Sequence, residues 1–209
     1  MVEKLRIAVV GSNVVRIPTT KGYMPDSWTA APSAWNVYNI VEGLVERGHD
    51  VTLFASGNSQ TSARLESVRY LDSSSDPEVG LENHVQYEFL LLSHAYSMVN
   101  QGRFDIINTH IPARSGFFSR FSRVPTVATL HSVLDDNRLV DFSLRNMKDW
   151  QHYVSISDAQ REPIPDLKYA GTIYEGVNTD EYPWSKDKGD YLLFAGRVVP
   201  EKGPDIAIE

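Results

Sequence analysis

The chain has 209 residues, of which 42% are hydrophobic and 22% charged, as is usual for a globular protein of one or two domains. Its 27 acidic and 20 basic residues give a net charge of −7 without a long basic run, which argues against a nucleic-acid groove or a polybasic membrane patch. Cysteine is absent, which excludes disulfides and thiolate metal sites, and no apolar run approaches the roughly 20 residues of a membrane span, so we expect a cytoplasmic protein, with peripheral membrane attachment left open.

Runs of consecutive apolar residues predict a series of buried strands. They cover residues 5–10, 50–55, 105–110, 126–131, 152–156, 171–174 and 191–194. Apolar residues at consecutive positions, as opposed to alternate ones, suit a parallel sheet that is covered on both faces.

Helical patterns lie between these runs. The clearest has apolar residues at three- and four-residue spacing from Val37 to Val45, with Ser33 as the expected N-cap and Gly48 just beyond the end. A second helix is predicted over 83–101, closed by Gly102. This alternation predicts an α/β fold, a Rossmann-like doubly wound, mainly parallel sheet.

Two stretches interrupt this alternation. Residues 11–32 are long and helix-poor and follow the first strand, where they face the crevice at which open α/β sheets bind ligands. Residues 72–77 are rich in Ser and Asp and read as a surface turn.

Composition also predicts the domain organisation. Residues 1–177 form one domain, the polar, turn-forming residues 178–190 form a linker, and residues 191–209 begin a second domain. The run 191–196 repeats the pattern of 5–11, an apolar strand that ends at a glycine, which indicates a second Rossmann-like half with a helix from about Pro204.

Charged and polar side chains follow several predicted strands. Arg197 and Lys202 precede a predicted helix start, where cations and free amides attract anions, although solvated charges at a domain edge are the alternative. His131 ends a strand, where its imidazole either donates to a ligand or is held by a backbone carbonyl. Ser157 is either an N-cap or a residue of the cleft.

Four stretches, in chain order, carry a resemblance to a known family. They are EGLVERGHDVTLFASG at 42–57, VSISDAQR at 154–161, YEGVNTDEYPW at 174–184 and GRVVPEKGPDIAIE at 196–209. Together they resemble the N-terminal domain, and the first residues of the C-terminal domain, of the family 4 retaining glycosyltransferases of GT-B fold. The resemblance implies transfer of a sugar from a nucleotide diphosphate sugar to the hydroxyl of a sugar, lipid or small-molecule acceptor, with retention and without a metal or other cofactor.

The resemblance also assigns residues. The donor diphosphate is expected at Arg197, Lys202 and Gly11, the catalytic residue is His131, and the acceptor or sugar pocket is expected at Gly22, Tyr23, His110 and Ser157. Where the family has two adjacent glycines after the first strand, this chain has the isolated Gly11 and Gly22.

The chain thus resembles mainly the acceptor-side half of a hexosyltransferase-type enzyme. We expect it to be inactive alone, because in the family the second domain holds the nucleotide base pocket, and we expect self-association through the exposed interdomain face. Two alternatives stay open: a non-catalytic binding or partner module on a GT-B-like scaffold, and a nucleotide-sugar epimerase of the same fold.

Overall fold

The structure is a computed structural model that describes residues 3–19, 30–134, 138–181, 184–187, 189–196 and 198–208. It divides into two compact units, residues 1–176 and 177–209. The first unit contains all the strands and α-helices described below. The strands are β1 (Arg6–Val10), β2 (Asp50–Phe54), β3 (Arg64–Glu66), β4 (Ile106–Thr109), β5 (Thr126–Thr129), β6 (His152–Ser155) and β7 (Tyr169–Thr172). The helices are α1 (Ala30–Glu46), α2 (His84–Asn100), α3 (Pro112–Ser119) and α4 (Arg138–Asn146).

The seven strands form one sheet in the order β3-β2-β1-β4-β5-β6-β7, and every neighbouring pair is parallel. The chain order reverses between β1 and β4, where Val10 pairs with Phe54 on one side and Thr109 on the other. This confirms the predicted α/β, Rossmann-like doubly wound fold. Ligands of such sheets bind at the carboxyl ends of the strands beside this reversal.

Alternate residues of β1 supply the two sides of the core. Ala8 and Val10 pack with the buried face of α2, whereas Ile7 and Val9 pack with α1. Because both faces of the sheet are covered, its central strands are apolar at consecutive positions. A third cluster, around Tyr153, joins β5 and β6 to α4.

The two predicted helices form, with one correction. Helix α1 begins at Ala30, so Ser33 lies within its first turn and is not the N-cap; Pro32 permits this because a proline is tolerated in the first helical turn. Its end is as predicted, since Gly48 has a φ of 87° and the amides of Gly48 and His49 bond back to the last turn. None of the described helices is long and apolar enough to cross a membrane.

The sequence missed β3, α3 and α4, and one predicted strand is wrong. Residues 191–194 are irregular, and Leu192 is 99% exposed. A strand needs a neighbour for its backbone groups, and the described residues of the unit 177–209 provide no second strand. Beyond the 3-10 turn Pro200–Lys202, the predicted helix from Pro204 is present only as a turn.

The Ser- and Asp-rich stretch 72–77 is not the surface turn that its composition suggested. Asp72, Ser73 and Asp76 are all at most 4% exposed. Asp76 accepts hydrogen bonds from the Arg69 guanidinium and from two backbone amides of its own loop. The bond from Arg69 is the main reason why the pKa of Asp76 falls to about 2. The loop after β3 is therefore partly buried and held in place by these hydrogen bonds.

The α2 helix gives a test of the core. Leu91 is fully buried, whereas its neighbour Leu90 is 61% exposed. We expect Leu91→Ala to lower the free energy of unfolding by about 2–5 kcal/mol, because it leaves a cavity. Leu90→Ala is the matched control, with an expected change within about 0.5 kcal/mol. Urea denaturation measures both, and equal effects would contradict the assignment of the buried face.

The Asp76 carboxylate gives a pH test. Its folded-state pKa of about 2 lies below its ordinary value of 3.8, so its stabilisation is present above pH 3.8 and is lost as the pH falls toward 2. We expect Asp76→Asn to flatten the decline in unfolding free energy over this range. Denaturant titrations at stepped pH measure that decline, with Asp141→Asn as a control for the loss of one carboxylate. An unchanged decline in Asp76→Asn would show that the pair with Arg69 does not stabilise the fold.

Candidate active site at the carboxyl edge of the sheet

Two histidines meet at the carboxyl ends of neighbouring strands. His110 follows β4 directly, and its amide donates to the Val10 carbonyl at 2.8 Å, which continues the ladder between β4 and β1. His131 stands two residues beyond β5, which pairs with β4. The parallel register therefore brings together two residues that are 21 positions apart in the chain.

The two imidazoles are in direct contact. Nδ1 of His110 lies 2.7 Å from Nε2 of His131, and the ring centroids are 5.0 Å apart with planes inclined by 25°. His110 is 7% exposed, and its Nε2 lies 2.9 Å from Oδ1 of Asn108. Burial, and secondly the charge of His131, hold the pKa of His110 well below its ordinary value of 6.5. His110 is therefore the neutral member of the pair.

A carboxylate holds the other side of His131. Nδ1 of His131 lies 3.0 Å from Oε1 of Glu175, which stands three residues after β7. The same oxygen accepts a hydrogen bond of 2.7 Å from Nδ2 of Asn36, in the α1 helix. Solvent exposure increases from the buried His110 outward. The side chain of His131 is 13% exposed and that of Glu175 is 40% exposed.

The hydrogen-bond partners of the two imidazoles indicate which ring nitrogens carry hydrogens. Asn108 Oδ1 and Glu175 Oε1 are both acceptors, so Nε2 of His110 and Nδ1 of His131 must each carry a hydrogen. The 2.7 Å contact between the rings needs a third hydrogen, since two facing lone pairs would repel. Three protons on two imidazoles make one positive charge. If His110 is the neutral member, this hydrogen-bond pattern predicts the charge on the ring beside Glu175.

Backbone carbonyls on either side of His131 are held by one amide. Nε2 of Gln160 donates to the carbonyls of Leu130 and Ser132, at 3.2 and 2.8 Å. The Gln160 backbone amide in turn donates to Oγ of Ser157 at 3.1 Å, which is the capping geometry of a helical turn. Ser157 thus contacts the support of His131, while the N-cap residue of the turn Ala159–Arg161 is Asp158.

The loop after β1 is tied to the two helices beside it. Oγ of Ser12 donates to Glu88 at 2.6 Å, and Nη1 of Arg114 donates to the other oxygen of Glu88 at 2.6 Å. Glu88 is only 2% exposed, so it is a buried carboxylate with a charged partner. Gly11 is buried, and its amide donates to the Phe54 carbonyl at 3.0 Å. A Cβ atom here would displace the end of the Ile17 side chain, so the position favours a small residue.

The positions of several other predicted site residues relative to this cluster are not tested. Lys202 is exposed and belongs to the other compact unit, 177–209. Arg197, Gly22 and Tyr23 lie outside the described residues. Their predicted roles stay predictions, as does that of Gly11.

Sequence reasoning missed Glu175, Asn36, Glu88 and Arg114. Glu88 could have been found, because it is a charged residue on the apolar side of a predicted helix. Arg114 could have been found too, because Pro112 marks a helix start immediately after the strand that ends at His110. Glu175 gives no such local signal, because it lies in a polar stretch after the last strand of the sheet.

Comparison with known proteins places this site in a family. The model described as Glycosyltransferase Family 4 matches residues 34–181, more than two thirds of the chain, and that range includes Asn36, His110, His131 and Glu175. No curated protein matches the chain. Within the described ranges there is no group of three His, Cys, Asp or Glu side chains that could hold a metal ion.

The proton count of the histidine pair can be measured. We expect three imidazole N–H groups on His110 and His131 near neutral pH, and only two in Glu175→Gln, which removes the counter-charge while keeping a hydrogen-bond acceptor. Nitrogen-15 NMR of histidine-labelled protein counts them, with Glu162→Gln as the exposed control. Two N–H groups in the wild type would instead mean that both rings are neutral and that Asn108 presents its amide nitrogen to His110.

Proposed function

The chain belongs to glycosyltransferase family 4, and on this basis we propose that it takes part in transfer of a sugar from a nucleotide diphosphate sugar to an acceptor hydroxyl, with retention at the anomeric carbon. The observation that supports this most directly is the histidine pair with its carboxylate at the carboxyl ends of β4 and β5, inside the matched range. Such an edge is where doubly wound sheets bind ligands.

The charge of the pair suits the leaving group. When the bond between the sugar and the diphosphate breaks, negative charge develops on the departing oxygen. A cation held in a partly buried position stabilises that charge more than a solvated one would. In this proposal the acceptor oxygen forms the new bond on the same face of the anomeric carbon, and the acceptor hydroxyl proton passes to the departing diphosphate.

His131 can reach a ligand only by exchanging one of its partners. Both of its ring nitrogens are occupied, one by His110 and one by Glu175. Glu175 is the more exposed partner, so the hydrogen on Nδ1 of His131 is the one that would turn to a donor oxygen. Glu175 is then the positioning residue that orients the ring and sustains its charge before the donor arrives.

The rest of the donor site is proposed from the family resemblance. Arg197 and Lys202 would clamp the diphosphate, and a second Rossmann-like domain of a GT-B fold would hold the nucleotide. On this proposal the 209-residue chain supplies the acceptor side, in the cytoplasm, and hexose is the transferred sugar. No metal or other cofactor takes part.

A transfer assay tests the proposal. Nucleotide diphosphate hexoses are offered, with and without acceptor sugars, to the 209-residue chain and to a version extended by a second Rossmann-like domain. We expect transfer only in the extended protein, and we expect His131→Ala to lower kcat/KM about 10²–10³-fold. His94→Ala is the matched control, because His94 pairs with Glu66 away from the site and its loss should leave the rate unchanged.

The outcomes are distinct. Absence of transfer by both folded proteins would contradict the proposal. Comparable turnover by the short chain would show that the second domain is not required. Conversion of the donor sugar in the absence of acceptor would indicate epimerisation in place of transfer.

A further inference from the structure

A cavity lies at the same edge of the sheet as the histidine pair, on the side of β1, β2 and β3. Its volume is about 340 Å³, which is within the range of small-molecule sites. Of the eight described residues that line it, six are polar. These are Arg16, Thr19, Asn58, Asp72, Ser74 and Ser75. A lining of this kind favours a polar ligand over an apolar one.

The three loops around the cavity are joined by backbone hydrogen bonds. The loop after β3 donates to the loop after β1, which also accepts a bond from the loop after β2. The bonds are Ser73 to Asn13 at 3.0 Å, Ser74 to Val14 at 3.0 Å and Gln60 to Ile17 at 2.7 Å. Arg69 and Asp76 hold the far end of the loop after β3. The described walls of the cavity are therefore preformed, which lowers the entropic cost of binding.

The cavity has more hydrogen-bond acceptors than its own donors fill. Asp72 is 2% exposed and accepts one bond from Nδ2 of Asn58, at 2.8 Å, and one from Oγ of Ser74, at 2.5 Å. A carboxylate offers about four acceptor positions, so about two are left. Oδ1 of Asn58 is buried and has no partner.

Two further groups in these loops have unmet hydrogen-bond capacity. The side chain of Asn13 is completely buried with neither polar atom paired, and Oγ of Ser73 is buried and unpaired. Neither Asn13 nor Ser73 is among the described residues that line the cavity, so the acceptors that a ligand there could meet are those of Asp72 and Asn58. Acceptors that lack donors point to a ligand rich in hydroxyl groups.

We propose that this cavity binds one ring of a neutral, polyhydroxylated ligand, a monosaccharide unit whose adjacent hydroxyls donate to Asp72 and Asn58. Arg16, a cationic residue, is among those that line the same space, which disfavours a bare metal cation. The Asp72 carboxylate, in turn, disfavours an anion. Thr19 and Ser75 add hydroxyls that can both donate and accept, as a sugar ring requires.

The position of the cavity suggests that the bound sugar is the acceptor. This assignment of the acceptor rests on the proposed function. Strands β2 and β4 flank β1, so they are two strand spacings, roughly 10 Å, apart. The cavity loops follow β1, β2 and β3 and the histidines follow β4 and β5, so the two sites lie along the same edge of the sheet. Binding of a polyhydroxylated ring to the cavity does not depend on that role.

Binding can be measured on the 209-residue chain by NMR. Methyl glycosides of glucose, galactose and mannose are titrated, with cyclohexanol as the apolar control and inorganic phosphate as the anionic one. We expect saturable shifts at the amides of 15–19, 56–60 and 71–75, with a Kd on the order of 1–10 mM for at least one glycoside. Asp72→Asn should weaken binding at least about tenfold, because it replaces one acceptor oxygen by a donor.

Two further variants keep the test decisive if Asp72→Asn disturbs the loops. Ser75→Phe should block the cavity from an exposed position and abolish the shifts, whereas Asp166→Asn, which removes an exposed carboxylate paired with Lys148, should leave them unchanged. Phosphate binding at these amides, or no binding by any glycoside, would overturn the inference. Glycoside shifts confined to His110 and His131 would overturn it too, while still supporting the proposed function.

Discussion

A parallel sheet with helices on both faces leaves polar side chains little room except at the ends of its strands. In β1, residues 7–10 are at most 5% exposed, and each side of the strand packs against a different helix. The loops that leave the carboxyl ends therefore carry the chemistry, on a scaffold that holds them still. His110 is an example of such a residue. Its backbone amide continues the hydrogen-bond ladder with β1, and its imidazole lies just beyond the end of β4.

The same confinement of polar side chains to the strand ends explains how a charged histidine pair can lie beside the apolar core. His110 is nearly buried and neutral, and His131 and Glu175 are progressively more exposed. Placing the charge on the outer ring limits the cost of desolvation, while the inner ring supplies an acceptor that orients it. Gln160 adds rigidity by holding the carbonyls on both sides of His131. An anionic ligand that replaced Glu175 would meet a ring that already has its other nitrogen against His110.

Sequence patterns predicted the sheet and two of its strand-end histidines, because buried parallel strands are apolar at consecutive positions and end where polar residues begin. The same pattern failed at 191–194, since an apolar run indicates burial only where a neighbouring strand is present. The partners of the histidines could not be predicted. Asn36 and Glu175 are 139 residues apart in the chain, and only the folded sheet brings them together. Composition likewise concealed the buried carboxylate of Asp72, because Ser- and Asp-rich stretches are usually exposed turns.

The two polar clusters differ in the ligand charge that they favour. On the β4 and β5 side, the histidine pair is expected to carry a positive charge, which would suit a diphosphate; on the β1 to β3 side, Asp72 and Asn58 have acceptor positions that no described residue fills, which would suit hydroxyl groups. Sugar transfer needs both kinds of ligand, because an anionic donor must meet a neutral acceptor at one carbon atom. The two clusters follow different strands at one edge of the sheet, so in the proposed transfer the sheet would set how far the acceptor ring must reach. Acceptor selectivity would then depend on the loops after β1, β2 and β3, and donor activation on those after β4, β5 and β7.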